Sequence, residues 1–164
     1  MTNKEFFIET VAAEQPVFIK VIKALPQDKL DYKVHEKSRK AGGLAFQLAS
    51  QPGFISMITK LGQPDWGNYK EPQDMKIDQV AALAEKNFEQ LKKDLVAMPD
   101  SDWETGTATM VFPGGKWEAK KFTMAWGFFF DLIHHRGQLT TFLRAMGEKV
   151  PSVYGGSADE RPSA

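Results

Sequence analysis

Apolar residues recur at helical spacing in four long segments of the chain. The first follows Asn3, which can cap it, and covers residues 3–25. The second begins after Ser38, the third covers residues 78–98, and the fourth covers residues 123–146. Apolar positions three and four residues apart predict a helix with one buried face. The pattern therefore predicts four helices of similar length.

Prolines and glycines mark where these segments end. The residues that terminate the four predicted helices are Pro26, Gly62, Pro99 and Gly147. Glycine suits the position after a helix because it adopts a positive φ without strain. Pro16 falls inside the first segment, where we expect it to kink the helix. Pro52-Gly53 falls inside the second segment and is expected to bend or interrupt that helix.

A different pattern separates the third and fourth segments. The stretch TATMVFPGGKWEAKKFT contains two short strand-like runs on either side of Gly114-Gly115. Such a glycine pair between two strand-like runs favours a β-hairpin. Four helices with one inserted hairpin predict an all-α four-helix bundle that forms a single domain over residues 1–164.

The balance of charged residues limits the classes of binding partner that we expect. Lys+Arg and Asp+Glu both number 21, so the formal net charge is +0. A neutral chain has no general attraction to nucleic acid or to an anionic membrane, and near-zero charge favours self-association. No stretch resembles a signal peptide or a membrane span, which predicts a cytoplasmic protein. The chain has no cysteine, so any thiol in its chemistry would come from a small molecule.

The candidate chemistry lies in the fourth segment, where two of the three histidines are adjacent. His135 belongs to the core-facing positions of this helix, which are Phe128, Leu132, His135, Leu139, Phe142 and Met146. Asp131 stands four residues before His135, so the two side chains share a face. His134 lies about 100° further round and faces a flank. His35 falls in a polar stretch and is expected to be exposed.

Two interpretations of this pair stay open. Asp131 and His135 can reach one divalent ion, with Gln47 of the second helix as a third ligand from the facing helix. Alternatively, Asp131 holds His135 in one tautomer and Gln47 completes a buried hydrogen-bond network. The sequence contains no nucleophile elbow, phosphate-binding loop, dinucleotide-binding fingerprint or HExxH motif.

Two longer stretches carry a more specific signal. The stretch IHHRGQLTTFLRAMGEKVPSVYGGSADE, residues 133–160, resembles the C-terminal signature of the DinB/YfiT-like family. The stretch EKSRKAGGLAFQLASQ, residues 36–51, resembles the second-helix segment of the same family. The resemblance implies a four-helix bundle that is often dimeric, so we expect a homodimer.

The family resemblance also implies a metal site and a type of reaction. Typical members hold zinc or nickel on three histidines, one from the second helix and two from an HxxxH spacing on the last helix. These positions fall on Gln47, Asp131 and His135 here, so only His135 is kept. Asp is a sound zinc ligand, whereas a Gln amide is a poor one. We expect weaker metal binding, a different divalent ion, or none.

Two functions follow from the resemblance. The first is a metal-dependent transferase or isomerase that acts on a small molecule, with a low-molecular-weight thiol as cosubstrate. The second is a bundle without metal that binds a ligand or a partner protein. Arg136 and Gln138 also match the family signature. Arg136 could contact a substrate directly, but we favour a structural role in which it pairs with a carboxylate across the bundle. We expect Gly137 to allow close helix approach.

Overall fold

The computed structural model describes residues 1–64 and 69–161. Within them, the four predicted helices and the hairpin are confirmed. The elements in chain order are α1 (Asn3–Lys23), α2 (Ala41–Leu61), α3 (Ile77–Ala97), α4 (Asp100–Thr105), β1 (Thr107–Phe112), β2 (Gly115–Lys120) and α5 (Lys121–Ala145). A short 3-10 turn, Gln27–Lys29, connects α1 to the segment before α2. Helix α4 has no counterpart in the sequence prediction.

Helix α1 begins one residue earlier than the sequence suggests. Thr2 is the N-cap residue, and its hydroxyl accepts from the Glu5 amide while the Glu5 carboxylate accepts from the Thr2 amide. This reciprocal arrangement satisfies two amides that the first helical turn leaves free. The prediction that Asn3 caps the helix is therefore wrong. Asn3 instead accepts a hydrogen bond from the indole of Trp103 at 3.0 Å.

Neither internal proline interrupts its helix. Helix α1 continues through Pro16, and helix α2 continues through Pro52. Helix α5 ends as predicted, with Gly147 at a φ of 80°. The Gly147 amide donates to the Arg144 carbonyl, and the Glu148 amide donates to the Leu143 carbonyl. This pair of bonds is a Schellman motif, which satisfies carbonyls that the last turn leaves free.

The core lies between the long helices. Helix α2 packs against α3 on one side and α5 on the other, while α1 packs against α3 and α5. The largest fully buried apolar side chains of the core include Phe7, Phe18, Ile22, Leu48, Phe88, Leu91, Trp103 and Phe129. Trp103 of α4 is fully buried, and its ring packs in a tilted arrangement at 5.1 Å from Phe7, which anchors this short helix against α1.

The two strands pair antiparallel from Thr107 with Lys120 to Phe112 with Gly115. Pro113 and Gly114 form the turn, and Gly114 has a φ of 94°. Proline followed by a residue of positive φ suits a type II turn. The hairpin packs its buried Ala108 against the α2–α5 pair through Ile58 and Met124. None of the described helices is long and apolar enough to cross a membrane.

Candidate polar site between α2 and α5

The packing of α2 against α5 brings the three predicted site residues together. The Oδ1 atom of Asp131 lies 3.3 Å from Nε2 of His135, one helical turn further along α5. The Oδ2 atom of Asp131 accepts from Nε2 of Gln47 across the interface at 3.4 Å. Asp131 is 45% exposed and His135 is 17% exposed. The cluster is therefore open to solvent on the Asp131 side.

A fourth residue, Gln51, belongs to the cluster, although the sequence analysis did not predict it. Its Nε2 donates to Asp131 Oδ2 at 2.8 Å and to the backbone carbonyl of Phe128 at 2.9 Å. Its Oε1 accepts from Gln47 Nε2 at 3.3 Å. Gln51 is 3% exposed, so it is the most buried member. Its position four residues after Gln47, on the same helix face, is the signal that could have identified it.

The two ends of the network fix the direction of each amide. At one end, the Arg39 guanidinium donates to Gln47 Oε1. Because a guanidinium only donates, the Gln47 oxygen must face Arg39 and its NH2 group must face Asp131. At the other end, the Phe128 carbonyl only accepts, which turns the NH2 group of Gln51 toward it. Asp131 is thus the common acceptor of two oriented amide donors.

Arg39 also ties this network to the segment before α3. Its guanidinium donates to the Glu71 carboxylate at 2.8 Å and to the Tyr69 hydroxyl at 3.3 Å. Burial lowers the pKa of Arg39, but the hydrogen bonds to Tyr69 and Glu71 outweigh that effect and raise the pKa above its ordinary value. The side chain therefore stays a cation next to Gln47.

The imidazole of His135 is engaged at both nitrogens. Nε2 faces Asp131, and Nδ1 lies 2.7 Å from Oε1 of Gln138 in the next turn of α5. A general base needs a ring nitrogen that can reach the substrate proton. Nδ1 is held by Gln138, so Nε2, on the side of the half-exposed Asp131, is the nitrogen that could take that role. His134 is exposed, and its ring lies edge-on to His135 at 5.2 Å, as its flank position predicted. His35 is also exposed, as expected.

These donor directions do not fit a zinc or nickel ion held by the three predicted ligands. Asp131 and His135 alone have the spacing of two atoms that share an ion. Gln47 does not complete the set, because its oxygen accepts from the Arg39 cation and its NH2 group points toward Asp131. In the described residues, no three His, Cys, Asp or Glu side chains form a metal-binding group. A structural zinc site uses four ligands, and a catalytic one uses three.

Arg136 has a structural environment, as predicted. It is 1% exposed and forms an ion pair with Glu14 of α1 across the bundle. Its guanidinium lies over the Phe18 ring at 4.4 Å and the Tyr154 ring at 5.0 Å. Gly137, by contrast, does not serve close helix packing. In the described part of the chain, a Cβ at this position would meet nothing within 4 Å, so the prediction of close helix approach there is wrong.

The C-terminal segment docks on α1 and α5, away from Asp131. Tyr154 accepts a hydrogen bond from Arg136 at 2.6 Å. A hydrogen bond from Arg144, supported by the Val150 amide, holds the pKa of Asp159 below its ordinary value of 3.8. A hydrogen bond from Lys20, supported by the Ser152 amide, likewise lowers the pKa of Glu160 from 4.5. These contacts place Tyr154 and Asp159 against the bundle and not over the polar cluster.

Comparison with known proteins agrees with this fold. A DinB-like protein from Bacillus cereus has a TM-score of 0.69 at 20% identity, covering 92% of this chain and 97% of that one. A DinB-like protein from Bacillus subtilis has a TM-score of 0.69 at 17% identity, covering 89% of this chain and 96% of that one. No curated protein matches the sequence. The family model described as the DinB family matches residues 1–162. The chain therefore belongs to the DinB family.

Proposed function

We propose that this chain is a metal-independent member of the DinB family that binds a small molecule at the α2–α5 polar cluster. The observation that carries the proposal is the fixed direction of the two glutamine amides. Both present NH2 groups to the same Asp131 oxygen, and the Arg39 cation holds the only Gln47 atom that could bind a metal. Amide donors thus take the place of a cation as the partners of Asp131.

The exposed side of the cluster suits a ligand that donates hydrogen bonds. Oδ2 of Asp131 accepts two hydrogen bonds from within the protein, whereas Oδ1, among the described residues, has only His135 beside it at 3.3 Å. A half-exposed carboxylate held by oriented neighbours is a preorganised acceptor, since little conformational freedom is lost on binding. A ligand with N–H or O–H groups fits this side. The contact of Nδ1 with Gln138 holds the His135 ring beside Asp131, and we assign the cluster a binding role.

Metal content is the first test. Untagged protein is incubated with zinc, nickel or manganese, desalted exhaustively and measured by mass spectrometry. The matched control is the double variant Gln47→His, Asp131→His, which recreates the three-histidine set that the family resemblance implies. We expect the control to retain about one equivalent of metal and the wild type to retain little, because imidazoles bind zinc far better than an amide does.

The opposite outcome has a definite meaning. If the wild type retains about one equivalent and His135→Ala loses it, the metal-independent proposal fails. A metal-dependent transferase or isomerase with a thiol cosubstrate then becomes the working function. Ligand binding itself is followed by NMR of the His135 imidazole during a fragment screen. The hits should lose their effect in Asp131→Asn, which removes the carboxylate charge while keeping the side-chain shape.

A further inference from the structure

A pocket that is separate from the polar cluster lies between α2 and α3. Its volume is about 220 Å³. The residues that line it are Phe46, Ser50, Gly53, Phe54, Met57, Tyr69, Leu83 and Asn87. The rings of Phe46 and Phe54 lie 5.4 Å and 5.7 Å from the ring of Tyr69. The pocket is therefore apolar on most of its wall, with a cluster of three aromatic rings on one side.

The sequence of α2 explains why the pocket is open. Phe46, Ser50, Gly53 and Met57 recur at intervals of four, three and four residues, so they share one helix face. The middle of that face carries the two smallest of these side chains. A Cβ at Gly53 would lie 3.4 Å from Asn87, which is an ordinary contact. Glycine is thus not required there by a clash, and its effect is to leave space.

Two polar groups in the lining have hydrogen-bonding capacity to spare. Nδ2 of Asn87 donates to the Ala49 carbonyl at 2.8 Å, and this bond fixes which end of the amide is oxygen. Among the described residues, neither Asn87 Oδ1 nor the Ser50 hydroxyl has a hydrogen-bond partner. The pocket therefore combines an aromatic wall with an anchored acceptor, which is the usual composition of a small-molecule site.

We propose that this pocket binds a small planar aromatic molecule that carries one N–H or O–H group. The ring packs against Phe46, Phe54 and Tyr69, and the N–H or O–H donates to Asn87 Oδ1. Aromatic pairs at centroid distances of about 4.5–7 Å are favourable in offset and edge-to-face arrangements. An apolar cavity of about 150 Å³ is known to hold benzene, so about 220 Å³ accommodates a bicyclic ring of the size of indole.

This pocket does not depend on the function proposed for the polar cluster. None of its lining residues touches Asp131 or His135 through a hydrogen bond in the described part of the chain. Tyr69 links the two regions, since its hydroxyl accepts from Arg39 at 3.3 Å while its ring forms the pocket wall. Binding in the pocket can therefore be tested while the polar cluster is altered.

The experiment is an NMR titration of the full chain with indole, followed through the methyl signals of Met57 and Leu83. We expect saturable shifts of these signals. The N–H contact is tested with 1-methylindole, which has the ring but no donor and should bind about three- to tenfold more weakly. Equal affinity for the two molecules would overturn the role of Asn87. Absence of saturable shifts in the wild type would overturn the pocket itself.

Three variants locate the binding. Ser50→Leu places a larger side chain in the pocket and should abolish indole binding, whereas Ser50→Ala should retain it. Gly53→Ala also adds a side-chain atom to the pocket, and alanine has a higher helix propensity than glycine. Weaker indole binding by this variant would therefore not be explained by unfolding. Asp131→Asn should bind indole as the wild type does. Indole binding that persists in Ser50→Leu, or that is lost in Asp131→Asn, would contradict the assignment.

Discussion

Gln51 on α2 donates a hydrogen bond to Asp131 on α5 over 2.8 Å, across the interface between these two helices. The amide is almost fully buried, and the carboxylate is half exposed. A buried polar group is stable only when its partners are present. The α2–α5 interface therefore depends on a specific polar contact in addition to its apolar packing.

Replacing Gln51 by leucine tests that dependence. The change increases apolar burial, yet we expect it to lower the free energy of unfolding by about 1–3 kcal/mol, because the two hydrogen bonds from the buried Gln51 amide to Asp131 and to the Phe128 carbonyl are lost. The measurement is urea unfolding followed by circular dichroism. Gln79→Leu on the exposed face of α3 is the matched control and should stay within about 0.5 kcal/mol of wild type. A Gln51→Leu variant more stable than wild type would contradict the prediction.

The buried pair of Arg136 and Glu14 gives a second prediction. Glu14→Gln leaves the guanidinium, 1% exposed, without its counter-charge. We expect a loss of about 3–5 kcal/mol in unfolding free energy, as for other buried pairs from which one partner is removed. The double variant Glu14→Gln, Arg136→Met should recover part of that loss, because no unpaired charge remains. Urea unfolding of the wild type, Glu14→Gln, Arg136→Met and the double variant completes the cycle, and simple additivity would argue against a coupled pair.

The long helices could be predicted because each one repeats its apolar spacing over five or more turns. Helix α4 could not, since its six residues are too few for a periodic pattern and its position depends on burying Trp103. Two ion pairs from distant segments also hold it: Lys4 with Asp100 and Lys121 with Asp102. Such tertiary contacts have no local sequence signal.

The polar site was predictable in part for similar reasons. Asp131 and His135 are one turn apart, so helical geometry alone places them together. The same rule applied to Gln47 would have found Gln51. Arg39 is different, because it precedes α2 and its contact with Gln47 depends on how the chain enters the helix. Arg39 fixes the direction of the Gln47 amide. The spacing of residues along the sequence therefore could not show whether Gln47, Asp131 and His135 suit a metal ion.

Docking of the C-terminal segment should depend on pH. Asp159 and Glu160 have lower pKa values in the folded chain than their ordinary values of 3.8 and 4.5. Such carboxyls stabilise the fold above the unfolded pKa, and the contribution is lost as pH falls through the folded pKa. We expect the double variant Asp159→Asn, Glu160→Gln to be less stable than wild type near pH 6, with the difference shrinking toward about pH 3.

The measurement is the urea midpoint of both proteins across that range. All other carboxyls are common to the two proteins, so their titration cancels in the comparison. A difference that stays constant with pH would mean that the two carboxylates do not stabilise the segment through Arg144 and Lys20. Raised salt provides a further check, since these exposed pairs should weaken as ionic strength increases.

Gly137 should be replaceable by alanine with a gain in stability. It lies in the middle of α5, it is exposed, and a Cβ there meets nothing within 4 Å. Glycine in a helix interior costs about 0.5–1 kcal/mol relative to alanine, because it loses more backbone freedom on folding. We expect Gly137→Ala to raise the free energy of unfolding by about that amount. Gly114→Ala is the contrasting variant, since its φ of 94° in the hairpin turn makes alanine unfavourable there. If Gly137→Ala lowers the stability instead, the added methyl meets a surface that this single chain does not contain, such as a second copy packed on α5.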